Sequence, residues 1–151
     1  MSEPYILRAG ESVRPLGPSR LLVDGGTSGG RLTLYEGQLP VGGPPLHVHD
    51  FDEVILVVEG RIIVQLGDQR DELGSGDFAW LAAGHAHTFA NPGPDPVHAL
   101  GLAVPSGIED LFAERGEYLG SLTADQQPDL GSMAEIDARH ASRVLGPPID
   151  V

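Results

Sequence analysis

The sequence predicts an all-β chain followed by short C-terminal helices, and three observations lead there. Between residues 20 and 104, short runs of β-branched and aromatic residues alternate with Gly, Pro, Asp and Asn about every ten residues. The chain has 21 glycines and 13 prolines among 151 residues, a composition suited to tight turns rather than long helices. Apolar residues at helical spacing begin only after Pro105.

The elements follow in order. Residues 1–19 read as an N-terminal arm, 20–105 as a single β-barrel, and 106–151 as a helical extension packed on it. The candidate strands are SRLLVDG, GRLTLYEG, PLHVHD, EVILVVEG, RIIVQLGD, QRDEL, DFAWLAA, HTFANP and VHALGLAVP. Between them EG at 59–60, GD at 67–68, GSGD at 74–77 and NPGPDP at 91–96 supply turn chemistry. GIEDLFAERGEYLGSL then places Ile108, Leu111 and Phe112 on one helical stripe, and a second helix is expected over residues 132–144, with Met133 and Ile136 in its stripe. The polar TADQQPDLG between them reads as a loop, and the two prolines of LGPPIDV stop any further helix.

Composition narrows the function. A chain of this length forms one core and buries about 70% of its unfolded surface. Nine basic against 22 acidic residues leave a formal charge of −13, which repels phosphate backbones and anionic membranes, so neither nucleic acid nor a membrane is an expected partner. The absence of cysteine removes disulfides, thiolate metal sites and cysteine nucleophiles. The N-terminus carries no basic-then-apolar leader and no run of 18 apolar residues occurs, so a cytoplasmic location is expected.

The chemistry concentrates in PLHVHDFDE, residues 45–53. Side chains two apart in a strand share a face at about 6.6 Å, so His47 and His49 point the same way, and Glu53 keeps that parity. Two imidazoles and a carboxylate suit Fe, Mn, Ni, Co or Zn with coordination positions left open.

Together with GDFAWLAAGHAHTFAN, residues 76–91, this stretch resembles the two motifs of the cupin family, G(X)5HXH(X)3,4E(X)6G and G(X)5PXG(X)2H(X)3N. His47, His49, Glu53 and Gly60 match the first, and Gly76, Gly84, His87 and Asn91 the second. Val41 stands where the first glycine is expected and Ala82 where the family has proline; neither departure removes a ligand. The resemblance covers about residues 20–105, and the C-terminal IEDLFAERGEYL and ARHASRVLGPPI look like small quercetin-dioxygenase-like cupins. It implies a jelly-roll barrel holding one divalent transition metal ion per subunit on His47, His49, Glu53 and His87, with Glu53 also the catalytic base.

Around that centre the parity of the strands nominates Ile55, Val57 and Phe89 as walls of a substrate pocket. Tyr35, Phe51 and His98 are further candidates; on the preceding strand either Leu32 and Leu34 or Thr33 and Tyr35 face inward, and parity leaves that choice open. Phe51, Trp80 and Phe112 could close the mouth, Asp50 and Asp52 could orient imidazoles, and His85 and His140 read as rim or exposed residues. Val54, Leu56 and Val58 make the ligand strand apolar on its other face as well, so a homodimer or the folded-back helices must cover it; the homodimer is the expectation.

The function expected is a metal-dependent dioxygenase of quercetinase-like type, acting on a small aromatic or enolisable substrate with O2. A non-oxidative lyase, isomerase or cyclase, and a ligand-sensing cupin without turnover, are the alternatives.

Overall fold

A computed structural model describes residues 3–151. The described residues form two antiparallel sheets. In the first, β1 (Pro15–Leu16), β2 (Ser19–Val23), β3 (Thr33–Leu39), β10 (Val97–Val104), β5 (Asp52–Glu59) and β8 (Phe78–Leu81) lie side by side in that order. In the second the order is β11 (Ser142–Gly146), β4 (Leu46–His49), β9 (His87–Ala90), β6 (Arg61–Leu66) and β7 (Gln69–Gly74). Consecutive strands such as β4 and β5 fall in different sheets, as a jelly roll requires.

Alternation along each strand builds the core between the sheets. On β5, Glu53, Ile55 and Val57 are buried while Val54 and Leu56 are half-buried and Val58 exposed. On β10 the buried set is Val97, Ala99, Gly101 and Ala103. Ile55, Val57, Val97 and Ala99 meet Ile62 and Val64 of β6 in one apolar cluster with Ala79 and Leu81, each large buried aliphatic side chain contributing about 1.5–3 kcal/mol, while Ala103 packs with Phe51 and Ile108 in a second. The open parity of β3 is decided here, with Thr33 fully buried and Tyr35 turned inward toward Glu53.

The single-turn α1 (Gly25–Ser28) is capped by Asp24, whose Oδ1 accepts the Thr27 amide at 2.8 Å. Two longer helices follow the sheets, α2 (Ile108–Gly120) and α3 (Leu130–Arg139). Buried Glu109 ties α2 to the sheet by accepting the Thr33 hydroxyl, the Gly25 amide at 2.8 Å and the Gly107 amide at 2.9 Å. Arg115 of α2 donates to Asp137 of α3 at 2.5 and 2.8 Å, and His140 lies 2.6 Å from Glu114, half-buried rather than exposed.

Two boundaries differ from the sequence expectation. The second C-terminal helix ends at Arg139 instead of near Val144; Ala141 adopts φ 55° and turns the chain into β11, which pairs with β4 in the register Ser142↔His49 and Val144↔His47. The exposed edge of β4 offers unpaired backbone groups that this last segment satisfies, a long-range contact that helical spacing does not register. At the other end β1, inside the expected arm, already pairs with β2.

The outer face of the first sheet is left bare. Trp80, opposite Val54, is 51% exposed and Phe78, opposite Leu56, is 62% exposed, so Trp80 does not close a mouth. No helix of the described residues is long and apolar enough to cross a membrane.

Candidate metal centre

The ligand candidates arrive from both sheets. β4 supplies His47 and His49, its neighbour β9 supplies His87 directly opposite His47, and β5 brings Glu53 across from the other sheet. One ligand atom from each of the four lies within 4.8 Å of all the others. His49, Glu53 and His87 are buried and His47 half-buried.

The imidazoles are oriented by the backbone. His47 Nδ1 sits 2.7 Å from the Pro45 carbonyl, His49 Nδ1 2.6 Å from that of Phe51, and His87 Nδ1 2.9 Å from that of His85. A carbonyl can only accept, so each Nδ1 carries the proton and each Nε2 presents a lone pair inward. Asp50 and Asp52, which could have done this orienting, do not: Asp50 is exposed and Asp52 accepts the Ala83 amide at 2.9 Å. Phe51 is a brace, stacked flat on the His49 ring at 3.8 Å.

Three inward lone pairs face a carboxylate. Glu53 Oε2 lies 3.1 Å from His49 Nε2 and 3.8 Å from His87 Nε2, and the buried His87 Nε2 has no hydrogen-bond partner at all. Lone pair against lone pair is repulsive unless a cation stands between them, so this donor set fits a divalent metal ion. Burial, with the neighbouring imidazoles, pushes His47 down to about 4, so it is neutral at ordinary pH as a ligand must be. Burial alone would raise Glu53, but its contacts with His49, His87 and Tyr35 outweigh it and lower the carboxyl to about 2.

On the far side of Tyr35 from the cluster, and lined by none of the four cluster residues, lies a cavity of about 840 Å³ whose walls include Tyr35, Leu39, Ile55, Phe89, Ala99 and Phe112. Tyr35 belongs to both, lining the cavity while its hydroxyl donates to Glu53 Oε1 at 2.9 Å. Of the nominated wall residues, Tyr35, Ile55 and Phe89 are there and Phe112 closes over Tyr35 edge-on at 5.3 Å. Val57 packs into the inter-sheet core. His98 points to the opposite face of β10, with Nε2 3.7 Å from Glu36 Oε2, because inward parity on that strand belongs to Ala99 and Gly101. His85 is at the exposed rim.

The motif departures are absorbed locally. Gly42 exchanges backbone hydrogen bonds with Asn91 at 2.9 Å, and a Cβ on Gly43 would meet the Phe89 carbonyl oxygen at 1.8 Å, so the close approach falls just after Val41. Asn91 is structural: its amide donates to the Leu39 and Asp95 carbonyls and its oxygen accepts the Gly93 amide.

Comparison with known proteins agrees with this geometry. The cupin domain family matches residues 35–104. This chain belongs to the cupin superfamily. A stretch of 94 residues is 38% identical to quercetin 2,3-dioxygenase of Bacillus subtilis, covering 57% of this cupin but 27% of that enzyme. Among solved structures, a Bacillus halodurans protein is 24% identical with a TM-score of 0.57, over 70% of this chain and 83% of that one. A predicted oxalate decarboxylase from Thermotoga maritima is 18% identical with a TM-score of 0.54, over 58% and 78% of the two chains. Both structures share the fold.

Proposed function

We propose that this cupin holds one divalent transition metal ion on His47, His49, Glu53 and His87, and that it is a dioxygenase of quercetinase-like type. The observation that carries the reading is the convergence of three backbone-oriented imidazoles on Glu53, with His87 Nε2 buried and unpartnered. A bound ion would supply Lewis acidity and open positions for substrate oxygen and O2.

The mostly apolar cavity argues for an uncharged aromatic or enolisable substrate. Its basic wall residue, Arg115, spends its guanidinium on Asp137, and Glu117 adds negative charge, so a small dicarboxylate finds no free cation there. Similarity to the Bacillus subtilis enzyme supports the same substrate class. Tyr35 and Phe89 offer aromatic surface for such a ring. Glu53, lowered to about 2, is a strong anionic ligand and a weak proton acceptor; its service as base requires that the contacts from His49, His87 or Tyr35 loosen once substrate is present.

The test is metal analysis of protein purified without added metal, with oxygen consumption over flavonols, diketones and other enolisable compounds. Undiminished turnover without O2 would sink the dioxygenase reading in favour of a lyase, isomerase or cyclase, and metal-dependent ligand binding without product would favour a sensor. We also propose a homodimer through the outer face bearing Val58, Phe78 and Trp80, because α2 and α3, the other candidate cover, pack against β1 and β11 instead. Light scattering on Trp80→Glu should show a monomer if that face is the interface, and an unchanged mass would refute it.

A further inference from the structure

The Glu53 carboxylate is divided between two environments. Its Oε2 faces His49 Nε2 and His87 Nε2, whereas its Oε1 accepts the Tyr35 hydroxyl at 2.9 Å. Tyr35 sits on β3 directly across from Gly101 on β10, and its ring occupies the space where a side chain at 101 would be. A Cβ built on Gly101 would lie 2.2 Å from Tyr35 Cζ and 2.5 Å from its hydroxyl oxygen, far inside van der Waals contact. Phe112 closes the ring from the helix side at 83° between planes. Glycine inside a strand weakens it, so a glycine in the middle of β10 needs a compensating reason.

We propose that Tyr35 is a positioning residue that holds Glu53 as a one-oxygen ligand, and that Gly101 is the slot that admits it. By occupying Oε1, the phenol keeps that oxygen turned away from the imidazole nitrogens and fixes the carboxylate torsion, leaving Oε2 as the donor toward the cation. Without the phenol the carboxylate rotates freely, with both oxygens or neither directed at the site. Because the same ring is a wall of the cavity, whatever fills the cavity presses on the residue that sets the ligand. This rests on the metal reading given above.

Cobalt(II) alone is the probe, with its visible absorption reporting ligand geometry. Tyr35→Phe, which removes a single oxygen, is expected to keep the thermal midpoint of the metal-free protein within a few degrees, change the cobalt spectrum and weaken cobalt binding by roughly 10-fold, the low end for an outer hydrogen bond to a ligand. Gly101→Ala should reproduce the spectral change by displacing the ring. Placed on Tyr35→Ala, where the atoms it strikes are gone, Gly101→Ala should add nothing to spectrum or affinity. A wild-type spectrum and affinity in Tyr35→Phe overturns the proposal, and that variant decides alone if Gly101→Ala fails to fold. A folded Gly101→Ala with an unaltered spectrum overturns the role of the slot. If the wild-type protein takes up no cobalt, the metal reading falls, and this inference with it.

Discussion

Glu53 and Glu109 are both buried carboxylates, 4% and 2% exposed, and both are held below the usual carboxylate range. Glu109 is surrounded by donors with protons to give: the Thr33 hydroxyl and the amides of Gly25 and Gly107. Glu53 has a single hydroxyl, from Tyr35, and otherwise faces imidazole nitrogens whose protons are committed to backbone carbonyls on the far side of the ring. Glu109 is complete within the protein. Glu53 has room for a cation at Oε2, where its neighbours are imidazole nitrogens rather than N–H donors. A buried, shifted carboxylate is therefore not by itself a functional signal; the state of its neighbours separates a lock between α2 and the sheet from a site.

Exchange of each carboxylate for its amide is the sharpest way to break this comparison. Glu53→Gln should weaken divalent metal binding by more than roughly 100-fold, beyond the range seen for outer residues alone, while Glu109→Gln leaves the affinity within about twofold; competition titration with a chelating dye measures both. An equal loss in the two variants would erase the distinction.

Stability should separate the two carboxylates only when metal is added. In urea melts of metal-free protein, Glu109→Gln is expected to cost about 3 kcal/mol, since its charge-assisted bonds weaken and an amide NH2 is turned toward other donors. Metal-free Glu53→Gln should also lose stability at neutral pH, because the ionised carboxylate, lowered to about 2, stabilises the fold above pH 4.5. Metal at 100 times its dissociation constant should then add about 2.7 kcal/mol to wild type and to Glu109→Gln, an increment absent from Glu53→Gln.

Acid should act on the metal-free cluster in a defined window. His47 is harder to protonate folded, at about 4, than unfolded, near 6.5, so the unfolded chain binds more protons as pH falls. Its contribution is whole above pH 6.5 and is lost on the way down to 4, a change of about 3 kcal/mol. Glu53, shifted from 4.5 to about 2, follows the same sign at lower pH, its contribution whole above 4.5 and lost on the way to 2. Thermal midpoints against pH check this, and His47→Gln should flatten the upper part of the curve. The smallest effect is expected at His98, where replacement by Asn should change turnover by less than about twofold because the ring lies outside the cavity. A larger change would mean that the outer face reaches the site.

Much of the centre was legible in the residues. Parity alone put His47, His49, Glu53, Ile55 and Val57 on one buried side of their strands, and the second motif supplied His87 at the spacing the family resemblance implies. Parity is relative, however. It says which residues share a face and not which face is inward, so both Tyr35 and His98 were only candidates, and the structure turns Tyr35 in and His98 out. Asp50 and Asp52 looked like partners for the imidazoles because they are adjacent in sequence, whereas the partners are carbonyls that carry no side-chain signature. β11 was read as helix because its partner, the edge of β4, lies about 95 residues away in the chain.

From sequence alone came the all-β architecture, the place of the turns and the four residues of the cluster, because strand alternation and motif spacing are properties of neighbouring residues. Tertiary structure alone decided that His87 Nε2 is buried without a partner, that Tyr35 takes one oxygen of Glu53, and that Gly101 makes room for it. Those are contacts between strands far apart in the chain, and hydrogen-bond satisfaction and close packing are settled only when the strands meet.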